Sequence, residues 1–249
     1  MLGINVFSFL AFAAINLCAV AITKYNESKR NSCMRLLCVS LLAVTLCRFA
    51  PVSILLTGDV ILPVEFSSIA SFSVPIILLV GFEKGRIWAA YSGLMAGFFY
   101  YVTMIIAGGT IYESYEPYQI YLSLFSHGIV YLCGLVLLKT QKFDLPEFYK
   151  PLAGVGCVLL NARLLRPFAD SGMRIFIYEI MEGRHVRDLF PGVNIAPVYY
   201  VILTGLLVLT VVLFFKLNKT QYERWIRATA LTGSYAVRQS AGYAQERST

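Results

Sequence analysis

Leu62-Pro-Val-Glu-Phe-Ser-Ser-Ile69 decides how this chain is read, because it sets a carboxylate and two hydroxyls inside a segment otherwise apolar enough to cross a membrane. Hydrocarbon penalises an ionisable side chain by roughly 2.5–3.5 kcal/mol on insertion scales and by more in simulations, so Glu65 must have polar company. Working outward, the other polar intruders in apolar segments are Arg48, His127, Asn161, Arg163 and Arg166. In the topology drawn below, all of them fall in the outer half of the bilayer. A buried polar site is the simplest reading.

Composition sets the frame around that stretch. With 58% hydrophobic residues, 14% charged and a mean hydropathy of +0.68, the chain does not read as a water-soluble domain. Several apolar runs reach the ~20 residues that a helix needs to cross a bilayer. Tyr and Phe are abundant, but their phase is helical, unlike the two-residue alternation of an outer-membrane barrel. The net charge of +7 is carried by Lys and Arg in short loops between apolar runs, which is a topology signal and no nucleic-acid footprint. The six cysteines (Cys18, Cys33, Cys38, Cys47, Cys133 and Cys157) lie in or beside apolar runs without metal-ligand spacing, and read as reduced packing residues. No metal or organic cofactor is implied.

The fold expected is all-α: a polytopic helical membrane protein with seven spans near 2–23, 35–57, 60–82, 87–108, 117–138, 151–168 and 195–215. The first run lacks a basic start and passes straight into Lys24, so it reads as a span and not as a signal peptide. One transmembrane domain covers 1–216, and 217–249 is a cytoplasmic juxtamembrane segment fading into a disordered tail. The segments 24–35, 83–86, 139–150 and 216–249 together hold 15 Lys/Arg, whereas the opposite loops hold only Arg174, Arg184 and Arg187. The positive-inside rule then puts the N-terminus outside and the C-terminus in the cytoplasm of a multi-pass cell-membrane protein. Gly58-Asp59 reads as a tight turn, Glu113 and Glu116 mark a Tyr-rich acidic loop, and Met173 to Met181 reads as a short interfacial helix. His185 falls on a solvated face. Gly93 and Gly97 have the spacing of close helix contact, for which ordinary packing is a better account than a dimer seam.

At 1.5 Å per helical residue, Arg48 and His127 lie about 15 Å from the outer surface and Glu65, Ser67, Ser68 and Arg163 about 8–12 Å. Arg48 and Glu65 occupy adjacent spans joined by a short turn, so a buried ion pair is expected, serving either to lock the hairpin or to serve a site. Ser123, His127 and Tyr131 share one stripe, and Glu65 and Ser68 share a face of the third span. An imidazole at the depth of a serine hydroxyl is the minimum for nucleophilic catalysis; the plainer reading of His127 is a helix–helix hydrogen bond. A retinal Schiff base is excluded, since the last span has no Lys, and there is no Walker loop, HExxH or GxSxG.

Three short motifs carry a family resemblance over roughly residues 35–215: Leu62-Pro-Val-Glu-Phe-Ser-Ser-Ile69, Phe125-Ser-His-Gly128 two spans later, and Pro197-Val-Tyr199 opening the last span. Together they resemble the YwaF-type bacterial integral membrane proteins. Those are similar to eukaryotic transmembrane protein 164, a Cys/His acyltransferase acting on phospholipids, and more distantly to the androgen-induced Thr/His hydrolases of fatty-acid esters. The resemblance implies acyl transfer or ester hydrolysis with His127 as base. Family members commonly carry Leu-Cys where this chain has Phe66-Ser67, so Ser67, or Ser68 beside it, would replace the thiol, or else the chain is a pseudoenzyme. The family's Asn-rich region in its sixth span is met here only by Asn161, with Arg163 and Arg166. Arg48, Arg163 or Arg166, with Glu65 and Asn161, would then hold an anionic headgroup or carboxylate. The partners expected are membrane lipid and a small amphipathic substrate, not nucleic acid. The competing reading is a non-catalytic transporter or binding module using the same polar pocket, and a third is a membrane subunit whose charges serve only assembly.

Overall fold

The computed structural model describes residues 2–49, 55, 61–111, 117–168, 176–183 and 196–246. Among them the elements are helical: α1 (Leu2–Thr23), α2 (Glu27–Arg48), α3 (Phe66–Val80), α4 (Arg86–Ile111), α5 (Pro117–Thr140), α6 (Tyr149–Leu165), α7 (Phe176–Glu182) and α8 (Ala196–Glu246), with 3₁₀ turns at Glu83–Gly85, Leu145–Glu147 and Arg166–Phe168. The Gly58-Asp59 turn, Glu113 and Glu116, and the loop residues Arg174, Arg184, His185 and Arg187 lie outside the described residues.

Among the described residues, five helices are long and apolar enough to cross a membrane: those over Gly3–Thr23, Glu27–Arg48, Glu83–Gly108, Ile120–Thr140 and Ala196–Ala230. The two remaining expected spans are shorter, 15 residues in α3 and 17 in α6. Position in the bundle follows from burial. In α5, 83% of the apolar window is buried, against 17% in α1 and in α8, so α5 is the central helix and the other two present apolar side chains outward. Phe9, Leu10 and Leu17 on α1 and Val201, Ile202 and Leu206 on α8 are all exposed, as a lipid-facing surface requires.

The α4–α5 seam is close, and small residues make it so. A Cβ on Gly97 would lie 2.2 Å from the Tyr131 Cβ, one on Gly93 would lie 2.7 Å from the Val130 carbonyl oxygen, and one on Gly134 would lie 2.5 Å from the Leu94 nitrogen. The Gly93/Gly97 spacing therefore serves packing within the chain, as the sequence suggested. Cys38 and Cys133 belong to the same core, and all six cysteines are free.

Hydrogen bonds show which helix ends lie together. The Asn5 side chain donates to the Ile105 carbonyl (2.9 Å), joining the start of α1 to the end of α4. At the opposite end, buried Asn218 on α8 donates to the carbonyls of Leu138 (2.8 Å) and Gln141 (2.7 Å) and accepts from the Phe143 N–H (2.9 Å). It thereby satisfies carbonyls that the end of α5 leaves open. The Trp225 indole donates to the Thr23 carbonyl (3.0 Å), fixing α8 to the end of α1.

The third span departs from expectation. It was read as helical over about 60–82, but residues 61–64 are not helical, and α3 starts only at Phe66, after an N-cap Glu65 with extended backbone (ψ 150°). Pro63 accounts for this, since proline steers the residue before it away from the α region and its own nitrogen has no hydrogen to give. At the other end Gly81 takes the left-handed conformation (φ 75°) and the Phe82 N–H closes on the Ile77 carbonyl (3.0 Å), which stops the helix. Glu65 thus does not share a helical face with Ser68, because it stands just ahead of the helix.

Where a short helix was expected at 173–181, a helix runs over Phe176–Glu182. No break separates the last span from the juxtamembrane segment, since α8 runs on through Lys216, Asn218 and Trp225.

Candidate functional site

The late start of α3 sets the geometry of the site. Ser67 and Ser68 stand in its first turn, facing the last turn of α2 and the middle of α5. These three pieces enclose a narrow, open-mouthed cleft with a volume of about 10 Å³, room for about one water molecule, lined by Arg48 and Thr45 on α2, Ser67, Ser68 and Ser71 on α3, and Ser126 and His127 on α5. Four of the residues singled out in the sequence, Arg48, Ser67, Ser68 and His127, therefore converge from three helices.

His127 is 5% exposed, and its ring is held from two sides. Nδ1 lies 2.8 Å from the Ser123 carbonyl oxygen, and a carbonyl can only accept, so Nδ1 carries the proton. In the neutral ring this leaves the lone pair on Nε2, the nitrogen that a general base needs. Tyr100 of α4 stacks on the imidazole, with ring centroids 3.7 Å apart and planes 10° from parallel. Position and tautomer are thus both fixed, while Nε2 has no partner among the described residues.

The hydroxyls around the cleft fall into two sets. Thr45 donates to the Leu41 carbonyl (2.7 Å), Ser71 to the Ser67 carbonyl (2.9 Å) and Ser126 to the Ser123 carbonyl (3.0 Å), so each is tied to its own helix. Ser67 and Ser68 have no such bond among the described residues, and both line the cleft. Their place in the first turn matters chemically. The opening N–H groups of a helix have no intrahelical acceptor, and the Glu65 side chain does not cap them. That end of α3 favours negative charge, as does the Arg48 guanidinium.

The other expected site residues build a second cluster. Glu65 accepts from the Ile177 N–H of α7 (3.3 Å), Asn161 of α6 donates to the Pro63 carbonyl (3.0 Å), and Arg166 pairs with Glu182 while lying 4.9 Å over the Tyr178 ring. Tyr178 in turn donates to the Ala162 carbonyl (2.9 Å). Burial pushes the Tyr178 phenol above its usual range, with Arg166 pulling the other way. The Arg48–Glu65 ion pair expected from the sequence is not formed; Arg48 lies over the adjacent Phe49 ring (5.7 Å) and Glu65 reaches α7. Arg163 is exposed on α6 and lines neither cluster. Glu65, Asn161 and Arg166 thus hold the non-helical 61–65 segment and α7 ahead of the start of α3.

Sequence reasoning missed Thr45, Ser71, Ser126 and Tyr100. Ser71 stands one turn after Ser67, and Ser126 one turn after Ser123, so helical spacing from the chosen stripes would have found both. Tyr100 left no local signal, because its contact with His127 joins two different helices. Comparison with protein families, characterised proteins and solved structures gave no match.

Proposed function

We propose that this chain is a membrane-embedded protein that handles a lipid or fatty-acyl ester, with a Ser/His centre in the cleft between α2, α3 and α5. The observation carrying this reading is the meeting in one cleft of the Ser67 and Ser68 hydroxyls and the Nε2 of His127 in a fixed tautomer, none of which has a hydrogen bond among the described residues. His127 takes the hydroxyl proton as the serine oxygen bonds to the ester carbonyl carbon. The first-turn N–H groups of α3 and Arg48 offset the charge that develops on the carbonyl oxygen. The ester C–O bond then breaks, the alcohol leaves with the proton held by His127, and water or a second alcohol releases the acyl group. The position in which the YwaF-type resemblance sets its nucleophile is Ser67.

The seven-span topology, with the N-terminus outside, belongs to the same proposal. The 15 residues of α3 span roughly 22 Å, and the non-helical residues 61–65 before them, turned at Pro63 by the Val64 N–H to Leu62 carbonyl bond (2.9 Å), lengthen that path; α6 and its closing 3₁₀ turn reach roughly 31 Å, enough for a ~30 Å hydrocarbon core. The paired helix ends support the alternation, since Thr23, Leu138, Gln141 and Trp225 meet at one end and Asn5 and Ile105 at the other.

A second reading has its own observation. Among the described residues no hydrogen bond joins Ser67 or Ser68 to Nε2, which suits a binding or transport module that never cleaves its ligand. One experiment divides the two: purified protein is treated with a fluorophosphonate probe and with phospholipid and fatty-acid esters. Labelling of Ser67 or Ser68, lost in His127→Ala, is expected of the enzyme. Saturable lipid binding with neither label nor turnover would transfer the cleft to the binding reading.

A further inference from the structure

The end of the bundle opposite the cleft carries a second organised cluster, built from the α1–α2 turn and α8. Trp225 is anchored by its bond to the Thr23 carbonyl, and the Arg30 guanidinium lies 5.4 Å over its ring. The Lys29 ammonium lies 4.2 Å over the Tyr25 ring, and Tyr222 packs beside Trp225 with centroids 6.0 Å apart. Lys24 follows Thr23 at the end of α1, and Lys219 and Arg224 stand on the same stretch of α8 as Tyr222 and Trp225; all three are exposed. Four other basic side chains at this end have acidic partners, Lys142 with Asp144, Lys150 with Glu147, Arg86 with Glu83 and Arg227 with Glu223, whereas Arg35, Lys84, Lys139 and Lys216 have none among the described residues. Lys24, Lys29, Arg30, Lys219 and Arg224 take part in none of these pairs.

A guanidinium or ammonium held against an aromatic face keeps its edge N–H groups free for an anion, and a planar fork suits phosphate. The height of the cluster selects which anion. Thr23 and Trp225 lie where α1 leaves the apolar region, and tryptophan at that depth marks the headgroup layer. We propose that this collar binds the phosphate headgroup of an anionic phospholipid in the adjoining leaflet, held between the α1–α2 turn and α8. The complementarity is of charge, several free cations against a headgroup with net negative charge, and the aromatic rings give the glycerol backbone an amphipathic surface to lie on. This inference is independent of the chemistry in the cleft.

The test uses the full chain purified in detergent and incubated with phosphatidylglycerol or phosphatidylcholine of matched chains. Retained lipid is counted by native mass spectrometry. Phosphatidylglycerol should be retained in preference, and Lys29→Gln, Lys219→Gln and Arg224→Gln should each weaken its retention by about fivefold, with no change for phosphatidylcholine. Arg30→Gln should weaken it at least as much, and Arg30→Lys should restore part of the loss. Lys29, Lys219 and Arg224 are exposed, so their substitution leaves folding intact and a null result is informative. Arg163→Gln, at the far end of the molecule, should change nothing. Equal retention of the two lipids, or undiminished phosphatidylglycerol in the α2 and α8 variants, would overturn the proposal. So would displacement of the lipid by soluble glycerol phosphate at equal concentration, or retention of an acidic peptide in place of lipid.

Discussion

Gly97→Ala is the sharpest perturbation of the seam on which the bundle is built. The added Cβ would stand 2.2 Å from the Tyr131 Cβ and 2.9 Å from the Tyr131 Cα, about 1.2 Å inside ordinary contact. Neither atom is the free end of a flexible side chain, so α4 and α5 must separate. Overpacking of this kind typically costs about 1–3 kcal/mol, against a gain of roughly 0.5–1 kcal/mol from replacing glycine inside a helix. Separation also moves Tyr100 and His127, which stack between the same two helices. The control is Gly156→Ala on α6, where the added Cβ meets nothing within 4 Å and only the helical gain should remain. Unfolding of both variants in matched micelles, followed by circular dichroism against added SDS, should move in opposite directions. Gly97→Ala at least as stable as the parent chain would refute the close α4–α5 seam. Loss of a dimer with an unchanged unfolding curve would instead place Gly93 and Gly97 between two chains.

Three further outcomes follow from particular contacts. Asn218→Ala should destabilise the protein by about 1–3 kcal/mol, because it strips the Phe143 N–H and two carbonyls of a buried partner; Asn218→Asp should do no better, since a carboxylate cannot donate to those carbonyls. Thermal unfolding checks both. The Tyr178 phenol, held above its usual range by burial, keeps its proton in the folded state after the unfolded chain has lost it, so stability should fall as pH rises above 10; Tyr178→Phe should make that slope shallower in melts taken from pH 8 to 11. Ser67→Ala/Ser68→Ala should abolish fluorophosphonate labelling while leaving the unfolding curve close to that of the parent, since neither hydroxyl makes a described hydrogen bond; persistent labelling would refute the serine assignment.

Helical class and long apolar spans were legible because they rest on summed properties, hydropathy over ~20 residues and the phase of polar positions. What escaped the sequence depends on where one helix starts. A regular helix through 60–82 puts Glu65 and Ser68 on one face and turns Ser67 about 200° from Glu65, which makes Ser68 the better nucleophile and Glu65 the partner of Arg48. Pro63 removes that geometry. With 61–65 out of the helix, Glu65 reaches the Ile177 N–H, Asn161 takes the Pro63 carbonyl, and both serines line the cleft. The proline was visible in the sequence, but its consequence was not, because the partners that hold the non-helical segment lie 98 and 112 residues away. The same holds for His127. Its depth could be counted along one span, whereas its tautomer and stacking are set by the Ser123 carbonyl on its own helix and by Tyr100 on another. Local polarity therefore found where a site must be. Which side chains face it was decided by long-range bonds to an irregular segment, which no periodicity encodes.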